Sequence, residues 1–313
     1  MPDSSRPVVS LVVPFYNEEA VIDAFRSRIV PVLEATSESF EIICVNDGSR
    51  DKTAEMLDAI CAADPRFRAF HFSRNFGHQA AVTAGIHGVR GECAIVIDAD
   101  LQDPPELIEA LLAKWREGFE IVYAQRRARA GESSMKRGTA FLFYRTLASI
   151  TEIDVPVDTG DFGLYDRKVI DVLNAMPEHN RFIRGLRAWV GFRQTAVMFD
   201  RKERFAGETK YPLRRMVRLA LDGVFSLSWA PLRLAVWLGF ASTLLSFLAA
   251  VVLIVGKLAG VFASVGWSWM AIIVLFLGGL QLVCIGAVGE YIGRIYDEVK
   301  QRPLYIIART SGL

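Results

Sequence analysis

The chain has 313 residues, and its 36 Lys and Arg residues nearly balance 35 Asp and Glu residues, which leaves a net charge of +1. This balance gives no sign of a nucleic-acid partner, which a strongly basic surface would indicate. Hydrophobic residues make up 52% of the chain, a high share for a water-soluble enzyme, and they concentrate between residues 232 and 293. The four cysteines show neither C-x-x-C nor zinc spacing, so we expect reduced thiols.

Apolar runs and helical segments alternate through the first 126 residues. We predict strands at 8–14, 41–45, 68–72, 92–97 and 120–125. Helices are predicted to begin at Asn17, Ser49, Gly77 and Pro104, with Asn17 as an N-cap. This alternation is typical of an α/β domain whose largely parallel sheet carries helices on both faces.

The pattern becomes less regular after Arg126. We predict helices at 131–150 and 167–175, strands at 162–165 and 195–200, and a short helix ending near Val190. A charged segment at 201–212 is predicted to be a mobile loop that could close over a substrate, and its cations are Arg201, Arg204 and Lys210.

The last third of the chain predicts contact with a membrane. Residues 211–225 form a basic amphipathic pattern suited to an anionic lipid surface, although a solvated helix face is the alternative. Residues 234–255 and 269–289 carry no charge and are long enough to span a bilayer. Basic residues flank this pair, so both termini are predicted to be cytoplasmic. The N-terminus lacks the apolar region of a signal peptide.

These patterns predict four parts of the chain. They are a catalytic domain at 1–208, interfacial helices at 209–231, a transmembrane hairpin at 232–293 and a cytoplasmic tail at 294–313. The protein is therefore expected to be a multi-pass protein of the inner membrane, with its catalytic domain in the cytoplasm.

Three predicted strands end in polar motifs. These are VVPFYNE at 12–18, VNDGS at 45–49 and AIVIDADLQDPPE at 94–106. Polar strand ends of this kind line the ligand crevice at the carboxyl edge of an α/β sheet. Asp98, Asp100 and Gln102 supply hard oxygen atoms suited to Mg²⁺ or Mn²⁺, although an isolated Asp-x-Asp is usually a solvated loop.

These motifs, in this order, resemble the family 2 glycosyltransferases with a GT-A nucleotide-sugar domain. SRNFGH at 73–78, DTGDF at 158–162 and RFIRG at 181–185 extend the resemblance to the polyprenyl-phosphate glycosyltransferases. The resemblance covers residues 8–305. It implies a GT-A domain followed by an interfacial helix and two transmembrane helices.

The resemblance also implies a reaction. A single sugar would move, with inversion, from a nucleotide-sugar to undecaprenyl or another polyprenyl phosphate. A UDP-sugar such as UDP-glucose is favoured over GDP-mannose. Another membrane lipid as acceptor and a catalytically silent scaffold are the rival hypotheses. A homo-oligomer, a tetramer, is expected.

The resemblance assigns roles to individual residues. The nucleotide-binding residues would be Pro14, Tyr16, Glu18, Asp47, Arg74, Asp98 and Ala99. Asp47 would contact the base, although an Asx turn before Gly48 explains it equally well. Asp100 and Gln102 would bind the metal ion, with Asp98 nearer the ribose or sugar.

Asp158, Asp161 and Asp98 are the proposed catalytic carboxylates. Asp158 is favoured as a base or as a group that positions the substrate. The alternative explanations for Asp158 are a helix N-cap and a salt bridge to Arg167. Since a lipid phosphate is already anionic, it would need cations more than a base, and the candidates are Arg126, Lys136, Arg137, Arg181 and Arg184. Singly, each of these is better explained as a solvated surface residue.

Two positions stand apart from these assignments. His78 is not expected to bind metal, because no partner His or Cys lies nearby in sequence, and substrate contact is the less favoured reading. The resemblance implies Arg at position 163, as in many members of the family, whereas this chain has Gly there. This predicts a different donor sugar, or a neighbour such as Arg167 in the same role.

Overall fold

The computed structural model describes residues 6–127, 159–179, 181–199, 230–259 and 267–312. Within these ranges one mixed sheet holds eight strands. The strands are β1 (Val9–Phe15), β2 (Phe40–Asn46), β3 (Phe67–Phe72), β4 (Cys93–Val96), β5 (Ile121–Arg126), β6 (Thr159–Asp166), β7 (Gln194–Phe199) and β8 (Ile307–Ser311). The helices are α1 (Ile22–Ala35), α2 (Thr53–Ala63), α3 (His78–His87), α4 (Leu107–Arg116), α5 (Arg167–Ala175), α6 (Ile183–Trp189), α7 (Ala230–Leu258) and α8 (Trp267–Val299).

The sheet order is β7-β5-β6-β4-β1-β2-β3-β8. The central strand β1 pairs in parallel with β2 and β4, while β6 runs antiparallel between β4 and β5. All residues of β1 are buried, as expected for a strand covered on both faces. The predicted α/β fold with a largely parallel mixed sheet is confirmed, and it is a GT-A fold.

The two faces of the sheet support two hydrophobic cores. Leu11 and Val13 pack with α1 and α4 on one face, whereas Val12 packs with α3 and α5 on the other. This split follows from the alternation of side chains along a strand. Asp166 caps α5 by accepting a hydrogen bond from the Lys168 backbone N–H at 2.9 Å, so this helix begins where the sequence predicts.

Helix α1 begins five residues later than predicted. Asn17 has a φ of 55° and its side-chain oxygen accepts a hydrogen bond from the Arg50 backbone, while Glu19 accepts one from Lys52. These polar residues join the β1–α1 turn to the β2–α2 turn, so the prediction of Asn17 as a helix cap was wrong. Helix α2 likewise begins at Thr53 rather than Ser49.

Helices α7 and α8 contain 29 and 33 residues, and both have stretches long and apolar enough to cross a membrane. Those stretches are Leu232–Gly256 and Phe276–Val299. At 1.5 Å per residue α8 is about 50 Å long, which exceeds the roughly 30 Å hydrocarbon core of a bilayer. Beyond α8 the chain returns to the sheet as β8, antiparallel to β3, a strand that the predicted tail at 294–313 did not include.

Several predicted elements lie outside the described residues. They are the helix at 131–150, the loop at 201–212 and the amphipathic helix at 211–225. The four cysteines are free thiols, as expected. The predicted division into domains stays a prediction.

Candidate active site

Four side chains from separate elements meet at the carboxyl edge of the sheet. His78 begins α3, Asp98 follows β4, Asp161 lies in β6 and Arg184 lies in α6. His78 Nε2 is 2.9 Å from Asp161 Oδ2 and 3.7 Å from Asp98 Oδ1, and Arg184 Nε is 2.8 Å from Asp161 Oδ1. We call these four residues the acidic cluster.

Asp161 is the buried anchor of the acidic cluster, with 2% of its side chain exposed. Its carboxylate accepts hydrogen bonds from His78, from Gln79 and from two nitrogens of Arg184. Burial alone would raise the pKa of Asp161, but the bonds from His78 and Arg184 hold it well below its usual range. A carboxylate held in this way is a poor proton acceptor, so the geometry favours anchoring over the predicted catalytic role.

His78 carries a positive charge in this setting. Burial lowers its pKa, but the hydrogen bond to Asp161 and the charges of Asp98 and Asp161 outweigh burial and raise the pKa to about 9. The side chain is 42% exposed, so the imidazolium is held from behind by Asp161 and still reaches the crevice. Sequence reasoning ranked His78 low because no partner His or Cys lies nearby in sequence, whereas its partner in the structure, Asp161, is 83 residues away.

Asp98 and its neighbours form the candidate metal site. Burial raises the pKa of Asp98, and its Oδ1 is buried without a hydrogen-bond partner in the described part of the chain. Asp100 Oδ1 accepts a hydrogen bond from the Gln102 backbone N–H, in a turn where Leu101 has a φ of 56°. This turn keeps two carboxylates and an amide on one short segment.

The donor set fits Mg²⁺ or Mn²⁺ incompletely. Within the described ranges no group of three His, Cys, Asp or Glu residues is arranged to hold a metal ion. Mg²⁺, however, is usually held by one or two carboxylates and completes its shell with water and substrate phosphates. Asp98 Oδ1 has no hydrogen-bond partner in the described ranges, although His78 Nε2 lies 3.7 Å away, and it is the oxygen with the most capacity left for such a cation.

Asp47 is engaged by the turn at 75–77. Its carboxylate accepts hydrogen bonds from Phe76 N at 2.6 Å, from Gly77 N at 3.0 Å and from Asn75 Nδ2 at 2.8 Å. These bonds leave one of about four lone-pair sites for a base. Asp47 therefore does not form the Asx turn that was the alternative for it, and the local side-chain bond in this loop comes from Asn46, whose Oδ1 accepts the N–H of Ser49 three residues on.

The remaining predicted nucleotide residues lie around this edge. Tyr16 is 45% exposed and is open to stacking, whereas Pro14 and Ala99 are buried. The backbone N–H of Glu18 donates to Thr53 Oγ1. The guanidinium of Arg74 lies over the ring of Phe76 at 3.9 Å and donates to the backbone oxygen of Asn75.

The predicted acceptor cations are largely engaged with protein groups. Arg181 is buried and donates to the carbonyl oxygen of Leu173. Arg126 lies 3.7 Å from the buried carboxylate of Asp103, and Arg184 binds Asp161. Asp158, Lys136, Arg137, Arg201, Arg204 and Lys210 lie outside the described residues.

Arg167 does not substitute for an arginine at position 163. Its guanidinium donates to the backbone oxygens of Val89 and Gly91, at the amino end of β4, and pairs with Asp171. The prediction that Arg167 would be borrowed for substrate was therefore wrong. Arg187 is fully buried, bonds Thr159 and lies 4.6 Å from the centre of the ring of Tyr123, the residue that pairs with Gly163 in the sheet.

A family model described as glycosyl transferase family 2 matches residues 10–173 of this chain. The chain belongs to glycosyltransferase family 2. The match runs from the second residue of β1 through most of α5 and therefore contains His78, Asp98 and Asp161, but Arg184 lies beyond it.

Relatives of this glycosyltransferase match nearly its whole length. It is 49% identical to the uncharacterized glycosyltransferase YkcC of Bacillus subtilis, over 97% of this chain and 94% of the relative. It is 39% identical to the prophage bactoprenol glucosyl transferase homolog of Escherichia coli, over 97% and 99%. It is also 39% identical to the bactoprenol glucosyl transferase of Shigella phage SfII, over 96% and 98%. The predicted family is confirmed.

Proposed function

We propose that this glycosyltransferase transfers one glucose from UDP-glucose to a polyprenyl phosphate at the cytoplasmic face of the inner membrane. The observation that carries the proposal is full-length similarity to proteins named bactoprenol glucosyl transferase. Two long apolar helices beside a GT-A sheet support a lipid acceptor, because they would hold the catalytic crevice at the bilayer surface.

The acidic cluster supports displacement without a dedicated base. A lipid phosphate is already anionic at neutral pH, so it can attack the anomeric carbon of the sugar without losing a proton. That carbon exchanges its bond to the diphosphate oxygen for a bond to the phosphate oxygen, with inversion. His78, positively charged and partly exposed, is suited to hold an anionic group of a substrate beside Asp98.

Asp100, Gln102 and Asp98 would hold Mg²⁺ or Mn²⁺. When bound, such an ion offsets the charge that develops on the departing nucleoside diphosphate. Asp47 and Asn75 would set the turn that borders the nucleotide, since their side chains are bonded to each other. Tyr16 would provide an exposed ring for the base.

The acceptor residues, the orientation in the membrane and the oligomeric state belong to the same proposal. Arg126, Lys136, Arg137, Arg181 and Arg184 stay the predicted lipid-phosphate residues, with Asp158 as the second carboxylate. Cytoplasmic placement of the catalytic domain and both termini rests on the flanking basic residues. A homo-oligomer, and a tetramer in particular, stays a prediction. GDP-mannose as donor and another membrane lipid as acceptor are the alternatives that the assay below separates.

The test is a transfer assay with radiolabelled UDP-sugars and GDP-sugars, undecaprenyl phosphate or a diacylglycerol as acceptor, and Mg²⁺, Mn²⁺ or a chelator. We expect one metal-dependent glycolipid, formed from UDP-glucose and undecaprenyl phosphate. Asp100→Ala should abolish it, while Asp23→Ala, on the exposed surface of α1, should not. Nucleotide binding without transfer to either lipid would contradict the proposal.

A further inference from the structure

The end of α8 and the chain that follows it contact the catalytic domain, and this chain joins its sheet as β8. We call this segment, Glu298 to Ser311, the C-terminal strap. Its last strand pairs with β3, and Arg309 Nη2 is 2.7 Å from Asp58 Oδ2. Ser311 Oγ donates to the same carboxylate at 2.6 Å. The strap is therefore fastened at its far end by a strand pairing and an ion pair.

The near end of the strap holds the segment that leads to Arg184. The backbone N–H of His179 donates to both carboxylate oxygens of Glu298, each at 3.1 Å. His179 Nε2 donates to the carbonyl oxygen of Arg302 at 2.6 Å. Five residues later, Arg184 binds Asp161, so Glu298 fixes the start of the segment that supplies one side of the acidic cluster.

The middle of the strap holds the segment that leads to His78. The ring of Tyr305 stacks on Phe72 with centroids 5.1 Å apart, and its hydroxyl is 2.7 Å from Nδ1 of His87, the last residue of α3. The backbone N–H of Ser73 donates to the carbonyl oxygen of Ile306 at 3.0 Å. The strap thus touches both the last residue of α3 and the strand before the 74–78 turn, and His78 lies between these contacts.

The segments that lead to His78 and Arg184, two of the three residues that donate to Asp161, are consequently held by one continuous piece of chain that begins in an apolar helix. Since an α-helix is stiff along its axis, Glu298 at the end of α8 links the position of the apolar stretch to the 179–184 segment, and the short chain from 300 to 306 continues from that end to Tyr305. We propose that Glu298 and Tyr305 are positioning residues. They hold His78 and Arg184 at fixed positions relative to α8 while sugar is transferred to a membrane-embedded acceptor. The reference to the acceptor rests on the proposed function.

The test uses the full chain in lipid nanodiscs with UDP-glucose and undecaprenyl phosphate. Glu298→Ala and Tyr305→Phe should each lower kcat by about tenfold through misplacement of the cluster, with the KM for UDP-glucose changed by less than about twofold. Glu298→Gln, which keeps an acceptor oxygen, should recover most of the rate. The matched controls are Glu290→Ala, whose side chain pairs with Arg294 on its own helix, and Tyr296→Phe.

Amide hydrogen exchange provides the second readout. In Glu298→Ala, exchange should accelerate at 177–184, and in Tyr305→Phe at 73–78, with β1 and β2 unchanged. Kinetics and exchange that match those of the controls would overturn the proposal. Exchange that accelerates throughout the sheet would also overturn it, because the strap would then only stabilise the fold. If the unmodified protein transfers no sugar, the proposed function fails, while the exchange data still decide whether the strap holds these segments.

Discussion

Replacing Asp161 by Asn tests whether this carboxylate is the anchor of the acidic cluster. The substitution keeps the size of the side chain but removes its charge. It also places an amide N–H₂ where His78 and Arg184 donate to a carboxylate oxygen in the unmodified protein. Removing one partner of a buried ion pair costs about 3–5 kcal/mol. His78 and Arg184 have 42% and 33% of their side chains exposed, so water can partly solvate them, and we expect about 2–3 kcal/mol.

This loss predicts a melting temperature lower by roughly 4–12 °C for a domain of this size. Thermal unfolding at neutral pH in detergent, followed by intrinsic fluorescence, measures the shift. Asp171→Asn is the control, because Asp171 is 64% exposed and pairs only weakly with Arg167, and it should move the melting temperature little. If Asp161→Asn melts together with this control, the carboxylate does not anchor the cluster and the argument from its four hydrogen bonds is wrong.

Three further results are expected. Gly48→Ala should destabilise the fold by about 1–3 kcal/mol, because φ is 63° and a Cβ would lie 2.3 Å from the backbone of the facing turn. Gly118→Ala, with φ of 92° and a Cβ in ordinary contact with Arg193 at 3.6 Å, isolates the cost of φ. The pKa of Asp58 is lowered to about 2, chiefly by the hydrogen bond from Arg309. The ionised carboxylate therefore stabilises the fold above pH 4, and this effect is lost as pH falls toward 2. Asp58→Asn should flatten the plot of melting temperature against pH between these values. The pKa of His78 is raised to about 9, so its protonated ring stabilises the fold fully below pH 6.5 and progressively less as pH rises through 9. His78→Gln should therefore remove a decline in melting temperature between pH 6.5 and 9.

Local sequence patterns predicted the strands β1 to β7 and the helices between them. The apolar runs before Asp47 and Asp98 are β2 and β4, and α5 spans the predicted residues because Asp166 caps it. Predictions failed where a polar side chain had two possible partners. Asn17 could cap a helix or bind the neighbouring turn, and only the folded sheet brings Arg50 close enough for the second.

The acidic cluster was only partly predictable, because its members are distant in sequence. Asp98 and Asp161 were identified from their motifs, but His78 gains its importance from residues 20 and 83 positions away. Arg181 and Arg184 look alike in sequence, and yet one donates to a helix end and the other to Asp161. Strand β8 went unpredicted because five largely exposed residues give little apolar pattern.

Transfer of one sugar to a polyprenyl phosphate leaves a lipid product that mass spectrometry identifies. The protein is incubated with UDP-glucose, undecaprenyl phosphate and Mg²⁺ or Mn²⁺, and the lipids are extracted. We expect one new lipid, in which a single hexose is joined to the monophosphate, together with an equal amount of UDP. Release of UDP without a hexose on the lipid, or attachment of the hexose to another lipid, would contradict it.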